Sequence, residues 1–368
     1  MATVAWWEPM TTDRVGLALS GGGFRATAFG LGCLRALHDT GVLSKVTVVS
    51  GISGGSLLAA LWAYGPSTFQ EFDGQVVELL GRGLQLELTT RTLSPVRVAR
   101  RGVDLIAAAR PDGRVRPSRN RTDVLAALLT DCTFGDKYLP DVTYAGLSTV
   151  LSATDLITSR AVRFGSDLSS LSTYGRIVEP IRVAEAVAAS AAFPLAFPAV
   201  QRTYTFERGG QTQQQRLALT DGGVYDNLGL SVLEPGRNPR FSDHVYPLDY
   251  IVACDAGRQE RGASRARVLP FRLMRSFDIT YRKTQDGTRA RLHAARSTGQ
   301  IRGFVHAYLG MRDRRLPMPA PGLVPMEQVN QYGTNFKKMS RENLDAITSR
   351  GEQLTRLLLQ HYCPALLG

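Results

Sequence analysis

Ser53 is the residue that its neighbours best prepare for nucleophilic chemistry. It sits in Gly51-Ile52-Ser53-Gly54-Gly55, after the β-branched run Val46 to Ser50 and before the apolar stretch Ser56 to Tyr64. Strand, sharp turn and helix, in that order, form a nucleophile elbow, G-x-S-x-G. Such a turn strains the serine backbone, and side chains two residues either side would collide with the adjoining strand and helix. The serine oxygen then stands at a helix N-terminus, among free N–H groups and positive dipole potential. The pentapeptide alone also fits a glycine-rich turn with Ser53 as a simple N-cap. The flanking strand and helix favour the elbow.

Gly21-Gly22-Gly23-Phe24-Arg25 follows an apolar run, Arg14 to Ser20, and precedes a helical stretch from about Ala26 to Asp39 that Gly41 closes. Gly21-x-Gly23-x-x-Ala26 formally satisfies the dinucleotide fingerprint, but the second strand ends in Ser50-Gly51 and supplies no acid for a ribose. A Walker A loop fails as well, because no Gly-Lys-Ser/Thr follows. An oxyanion hole is the better reading, with amides of Gly21, Gly22 and Gly23 turned into a concavity and Arg25 adding a fixed cation one turn in. A purely structural tight turn stays open. Asp221-Gly222-Gly223 ends a short strand, Leu217 to Thr220, where an aspartate can reach a neighbouring strand's turn. Taken by itself it is a plain Asp-Gly turn.

Further elements must hold these residues. Thr149 to Asp155 and Tyr250 to Asp255 predict buried strands, and Ala161 to Phe164 a pairing strand. Helices are predicted over Thr122 to Asp131 (capped by Thr122), Ile181 to Ala192, the arginine-rich Arg261 to Arg302, and Phe336 to Tyr362. Between Pro66 and Thr122 the pattern suggests amphipathic helices broken by glycine and proline. There Arg97, Arg100 and Arg101 beside Val98, Val103, Leu105 and Ile106 suit a core-packing helix with a solvated face better than a lipid interface.

Three motifs now stand in one order: SGGGFRA at 20–26, GISGG at 51–55 and DGG at 221–223. Together they resemble the patatin-like phospholipases, a family of serine lipid acyl hydrolases. The likeness extends to ATD at 153–155, AASAAFPLAFPAV at 188–200 and DGGVYDNLG at 221–229, and so spans about 14–257. The stretches 66–148 and 258–368 carry none of it. The resemblance implies that Ser53 is the nucleophile and Asp221 its base, a dyad without histidine. It places the oxyanion loop on Gly21, Gly22 and Gly23, with Arg25 at its basic position; the Gly54 amide joins them at the elbow. The expected substrate is a phospholipid or other acyl lipid. No metal is expected, since no His or Cys cluster has ligand spacing, and no cofactor.

Bulk properties bound the rest. A length of 368 residues, 43% hydrophobic and 21% charged, is that of a soluble globular protein with ample core. No apolar run approaches the ~20 residues that cross a bilayer. The start, MATVAWWEPMTTDRVG, lacks the basic and apolar regions of a signal peptide. Cys33, Cys132, Cys254 and Cys363 are scattered without a C-x-x-C pair, which suits a reducing cytoplasm. Net charge is +12, and lysine supplies five of the 44 cationic residues. That excess fits peripheral contact with an anionic membrane or a merely solvated surface; no nucleic acid partner is expected. The expected architecture is one α/β domain, a three-layer sandwich with a largely parallel sheet and helices on both faces. Its motif-bearing core is 14–257, with helical additions at about 66–130 and 258–368. Two competing functions remain. One is a Ser-His-Asp esterase using His244, His293, His306 or His361, all of which follow Asp221. The other is a non-catalytic basic module for nucleotide or anionic membrane. Acyl transfer to an alcohol other than water shares the acyl-enzyme and is not separable by sequence.

Overall fold

The computed structural model describes residues 13–92, 120–194, 196–257 and 269–367; the expected arginine stripe at 97–106 lies outside them. Ten strands join one sheet: β1 (Val15–Leu19), β2 (Val46–Gly51), β3 (Ser148–Asp155), β4 (Arg160–Gly165), β5 (Ser169–Leu171), β6 (Gly175–Ile177), β7 (Val200–Arg208), β8 (Gln211–Asp221), β9 (Tyr250–Asp255) and β10 (Gly303–Tyr308). Their order is β10-β9-β1-β2-β3-β4-β5-β6-β7-β8, with β8 also returning to pair with β3.

The two halves differ in kind. β10, β9, β1, β2 and β3 run parallel to one another. β1 and β9 are buried along their whole length, as the continuous apolar runs VGLAL and YIVACD require. From β3 onward every pairing is antiparallel, and the β3–β8 contact closes β3 to β8 into a barrel-like ring. The expected largely parallel sandwich is therefore corrected to a mixed sheet. The miss has a physical cause: the ring is partly open to water, so its strands are polar. The first half of β8, QTQQQR, is nearly all exposed, while LALTD is buried. The expected strand at 217–220 is only the buried end of an eleven-residue one. The tail at 258–368 also contributes β10 to the parallel half, beyond the helices expected there.

β3 positions the site. Along one edge it pairs with β4 from Val150 to Asp155. Its other edge is divided: Ser148 to Leu151 pair with β2, and Ala153 to Asp155 pair with β8. Gly51 lies opposite Leu151 and Asp221 opposite Ala153. β8 thus takes over the edge where β2 leaves it, running the opposite way, and its last residue arrives at the end of β2.

Helix α1 (Phe24–Asp39) and α2 (Gly54–Ala63) follow β1 and β2, and Gly41, with φ 73, ends α1 by donating its N–H to His38 O. The C-terminal helix Arg341–Tyr362 packs on α1 through two glycines. A Cβ at Gly32 would lie 1.9 Å from Thr348 O, and one at Gly351 would lie 2.4 Å from Phe29 O. Its Arg350 is fully buried and donates to Leu309 O, Met311 O and Asp313, tying the chain after β10 to the helix. Helix Arg121–Leu129 is capped by Asn120 in a capping box with Asp123, not by Thr122, whose hydroxyl donates to Pro198 O.

The helix contact predicts opposite signs for two glycine substitutions, read by thermal or denaturant unfolding. Gly32→Ala forces two backbones apart and is expected to destabilise by about 1–3 kcal/mol. Gly74→Ala, with nothing within 4 Å of the new methyl in helix Phe69–Arg82, is expected to stabilise by about 0.5–1 kcal/mol.

Candidate active site

Ser53 has φ 52 and ψ −118, a conformation that side-chain-bearing residues rarely adopt. Steric contacts on both sides of it explain the glycines. A Cβ at Gly51 would lie 2.6 Å from Ser56 Cα, at Gly54 2.1 Å from Gly23 O, and at Gly55 2.2 Å from Leu19 O. The elbow and the Gly21–Gly23 loop therefore touch backbone to backbone. The strained turn is pinned: Ser53 N–H donates to Ser190 Oγ at 3.0 Å, Ser56 Oγ donates to Ser53 O at 2.6 Å, and Ile52 N–H donates to Leu19 O at 3.0 Å.

Asp221 ends β8 and is 4% exposed. Burial raises its carboxyl to about pH 6, against the opposing hydrogen bonds from Gly223 N–H and the Ser53 side chain. The Gly223 bond is 2.7 Å long and made to Oδ1. The Asp221 backbone is held at both ends, since its N–H donates to Ala192 O and Thr154 Oγ1 donates to its carbonyl, each at 3.0 Å. The structure thus places the Ser53 side chain beside the Asp221 carboxyl, near enough to oppose the effect of burial on it.

The amides expected at the oxyanion hole divide. Gly21 N–H donates to Asn227 O at 2.9 Å and is not free for a ligand. Among the described residues the amides of Gly22, Gly23 and Gly54 find no acceptor. Gly22 and Gly23 have φ of 147 and 58, and a Cβ at Gly23 would lie 2.7 Å from Asn335 O. Arg25 is buried, and its Nε and Nη1 donate to Ala256 O, Tyr332 O and Thr334 Oγ1. It acts on the loop as an anchor to the segments after β9 and β10.

Two residues stand out here that sequence motifs did not single out, although both lie inside quoted stretches. Ser190, within AASAAFP, accepts the Ser53 amide. Asn227, within DGGVYDNLG, accepts from Gly21 N–H and donates through Nδ2 to Gly21 O at 3.4 Å, clasping the glycine loop to the aspartate loop. A polar residue at fixed offset from Asp221 was the only signal.

The histidines of the triad alternative are engaged elsewhere. His306 pairs with the buried carboxylate of Asp255 at 3.0 Å, beside Arg289. His244 contacts Ser170 Oγ and Tyr246 OH. His293 packs on Phe304 and His361 on Tyr362. Among the described residues no group of His, Cys, Asp and Glu could hold a metal ion, and the four cysteines are unpaired.

The raised carboxyl predicts a stability signature. Because the folded value, about 6, exceeds the ordinary 3.8, the folded state binds the proton more tightly. That contribution is full below about pH 4 and lost as pH rises through about 6. Asp221→Asn, neutral at every pH, is expected to match the parent below pH 4 and to exceed it by about 3 kcal/mol at pH 8, at 1.36 kcal/mol per unit. Unfolding midpoints of both proteins across pH 3.5–8 measure this, and a constant gap would contradict it.

The comparisons with known proteins follow this geometry. No curated protein matches the chain by sequence. Two structures of a human enzyme are among the solved structures similar to it in fold. GIVD cytosolic phospholipase A2 in complex with methyl gamma-linolenyl fluorophosphonate and terbium chloride has 18% identity and a TM-score of 0.54 over 96% of this chain. The same enzyme with the fluorophosphonate alone has 19% identity and a TM-score of 0.52, also over 96% of this chain. In each case this chain spans 58% of the other's length. No described helix is long and apolar enough to cross a membrane. The family model of the patatin-like phospholipases matches residues 17–233, more than half of the chain. The chain belongs to the patatin-like phospholipases.

Proposed function

We propose that this protein hydrolyses ester bonds of phospholipids or other acyl lipids through a Ser53–Asp221 dyad and an acyl-enzyme. One observation carries the reading: the Ser53 side chain stands beside a carboxylate that burial has made more basic, next to amides of Gly22, Gly23 and Gly54 that find no acceptor among the described residues. Ser53 Oγ attacks the ester carbonyl carbon as Asp221 takes its proton. The carbonyl electrons move onto oxygen, where the free amides donate to it. One such donor is typically worth ~2.7–4 kcal/mol. As the C–O bond to the leaving group breaks, Asp221 returns the proton to the departing alcohol. Water then attacks the acyl-Ser53 ester with Asp221 as base, and carboxylic acid and free Ser53 result. An aspartate at its ordinary value is a weak base for this task; one near 6 is closer to the optimum for work at neutral pH.

The family, and the fold shared with a phospholipase in complex with methyl gamma-linolenyl fluorophosphonate, support a long acyl chain as the substrate's recognised part. We place the protein at the periphery of an anionic lipid surface in the cytoplasm, drawn there by a net charge of +12. We treat it as one domain, whose stretches at 66–130 and 258–368 shape the acyl pocket. Transfer of the acyl group to another alcohol would follow the same first half-reaction.

A fluorophosphonate probe is expected to label Ser53 and to leave Ser53→Ala unlabelled, read by mass spectrometry. Asp221→Asn is expected to lower kcat on an acyl ester about 10²–10⁴-fold. In the parent, kcat/KM should rise through a single ionisation near pH 6 and then level off. Failure of the folded parent to label would turn the reading to the non-catalytic binding module.

A further inference from the structure

A cleft of about 860 Å³ opens away from Ser53, Asp221 and the glycine loop. Its walls come from β4, β5, β6 and the end of β7, from Tyr225 and Asp226, from the loop at 231–243, and from Thr284, Thr288 and Arg291 of helix Leu269–Ser297. This volume is that of small-molecule sites in general.

The charges lining it do not cancel. Six arginines reach it (Arg163, Arg176, Arg208, Arg237, Arg240 and Arg291) against four carboxylates. Asp243 is matched by Arg176 at 3.1 Å, and Glu234 by Arg291 at 2.5 Å. Asp226 already accepts from Leu228 N–H and Ser231 N–H, and Glu207 from Gly210 N–H. Arg208 donates to the carbonyls of Ser172 and Thr173. Arg237 bonds His244 O, Ser231 O and Ser242 Oγ, all neutral acceptors.

Arg240 is exposed to solvent, and among the less exposed arginines Arg163 is the exception. It projects from β4 into the cleft, and its Nε is shielded from solvent without an acceptor among the described residues. Burial first, and then the charge of Arg237, lowers its pKa to about 10 against the opposing charge of Asp226, so it still carries its charge at neutral pH. His244, beneath it, is held neutral by burial and by Arg163, Arg237 and Arg176, its pKa lowered to about 3. A half-buried guanidinium whose shielded Nε has no acceptor is unfavourable in a fold. An arginine fork that lacks an acceptor, in a cleft with uncompensated positive charge, is matched by a dianionic oxygen cluster.

We propose that this cleft binds a phosphate monoester, free in solution or as the headgroup of an anionic lipid, with Arg163 donating to its oxygens. Arg237 and Arg240 supply neighbouring positive charge, and the ligand supplies the acceptors that the chain itself withholds.

The test uses the full chain in the Ser53→Ala background, so that turnover does not consume a lipid. Calorimetry with inorganic phosphate and glycerol 3-phosphate is run beside sedimentation with phosphatidylcholine vesicles, with and without phosphatidic acid. Arg163→Leu is expected to weaken binding about 10- to 100-fold while holding or raising the ligand-free unfolding midpoint. Arg240→Gln, at an exposed position, is expected to weaken binding severalfold with no effect on folding. Loss of soluble-phosphate binding in Arg163→Leu with unchanged sedimentation assigns the site to a free phosphate. Loss of phosphatidic acid-dependent sedimentation assigns it to a lipid headgroup. Absence of binding to every probe, equal binding by parent and Arg163→Leu, or a lowered ligand-free midpoint in Arg163→Leu overturns the proposal.

Discussion

A β-strand has two edges, and β3 must serve three neighbours. β4 takes one edge from Val150 onward, so β2 and β8 divide the other. That division has a geometric result. β2 arrives parallel to β3 and β8 arrives antiparallel, so the end of each points into the same gap. Ser53 leaves the end of β2 and Asp221 closes the end of β8. The two residues lie near one another because the backbone ladder brings their strands end to end. The parallel half adds the glycine loop at the end of β1, next to β2, where open α/β sheets place ligands at the carboxyl ends of their strands.

Two unfavourable features are concentrated at that gap. The Ser53 backbone stands in a strained region, and the Asp221 carboxylate is out of water. Neither is left to itself. Ser190 and Ser56 hold the serine turn through its N–H and C=O, while Thr154 and Gly223 hold the aspartate. The same surroundings that restrain these groups also tune them, for burial is what lifts the Asp221 carboxyl to about 6. Arg25 illustrates the difference between a charge near a site and a charge in it. Its Nε and Nη1 donate to carbonyls and a hydroxyl of later segments, which fixes the glycine loop's position.

The parts of this structure that were legible in the sequence are those governed by local sterics. β1, β2, β3 and β9 appear as apolar runs because both their faces are buried. Of the antiparallel ring, β4 and the buried end of β8 were legible; β7 and the first half of β8 were not, since they are half-solvated and carry polar residues that look like loop. One signal there was strong: Gly209-Gly210, both with positive φ, joins β7 to β8 as a two-residue hairpin turn.

By itself the sequence determined the local backbone of the proposed site: a serine whose glycine neighbours alone tolerate the elbow, a triple-glycine loop, and an aspartate beside two glycines. Backbone clashes act over a few residues, so a linear pattern records them. Only the tertiary structure decided that Gly21 is committed to Asn227 while Gly22 and Gly23 stay open, that Arg25 serves as an anchor, and that Arg163 faces a cleft without an acceptor. Those outcomes depend on desolvation and on partners distant along the chain, and neither is encoded at any single stretch of it.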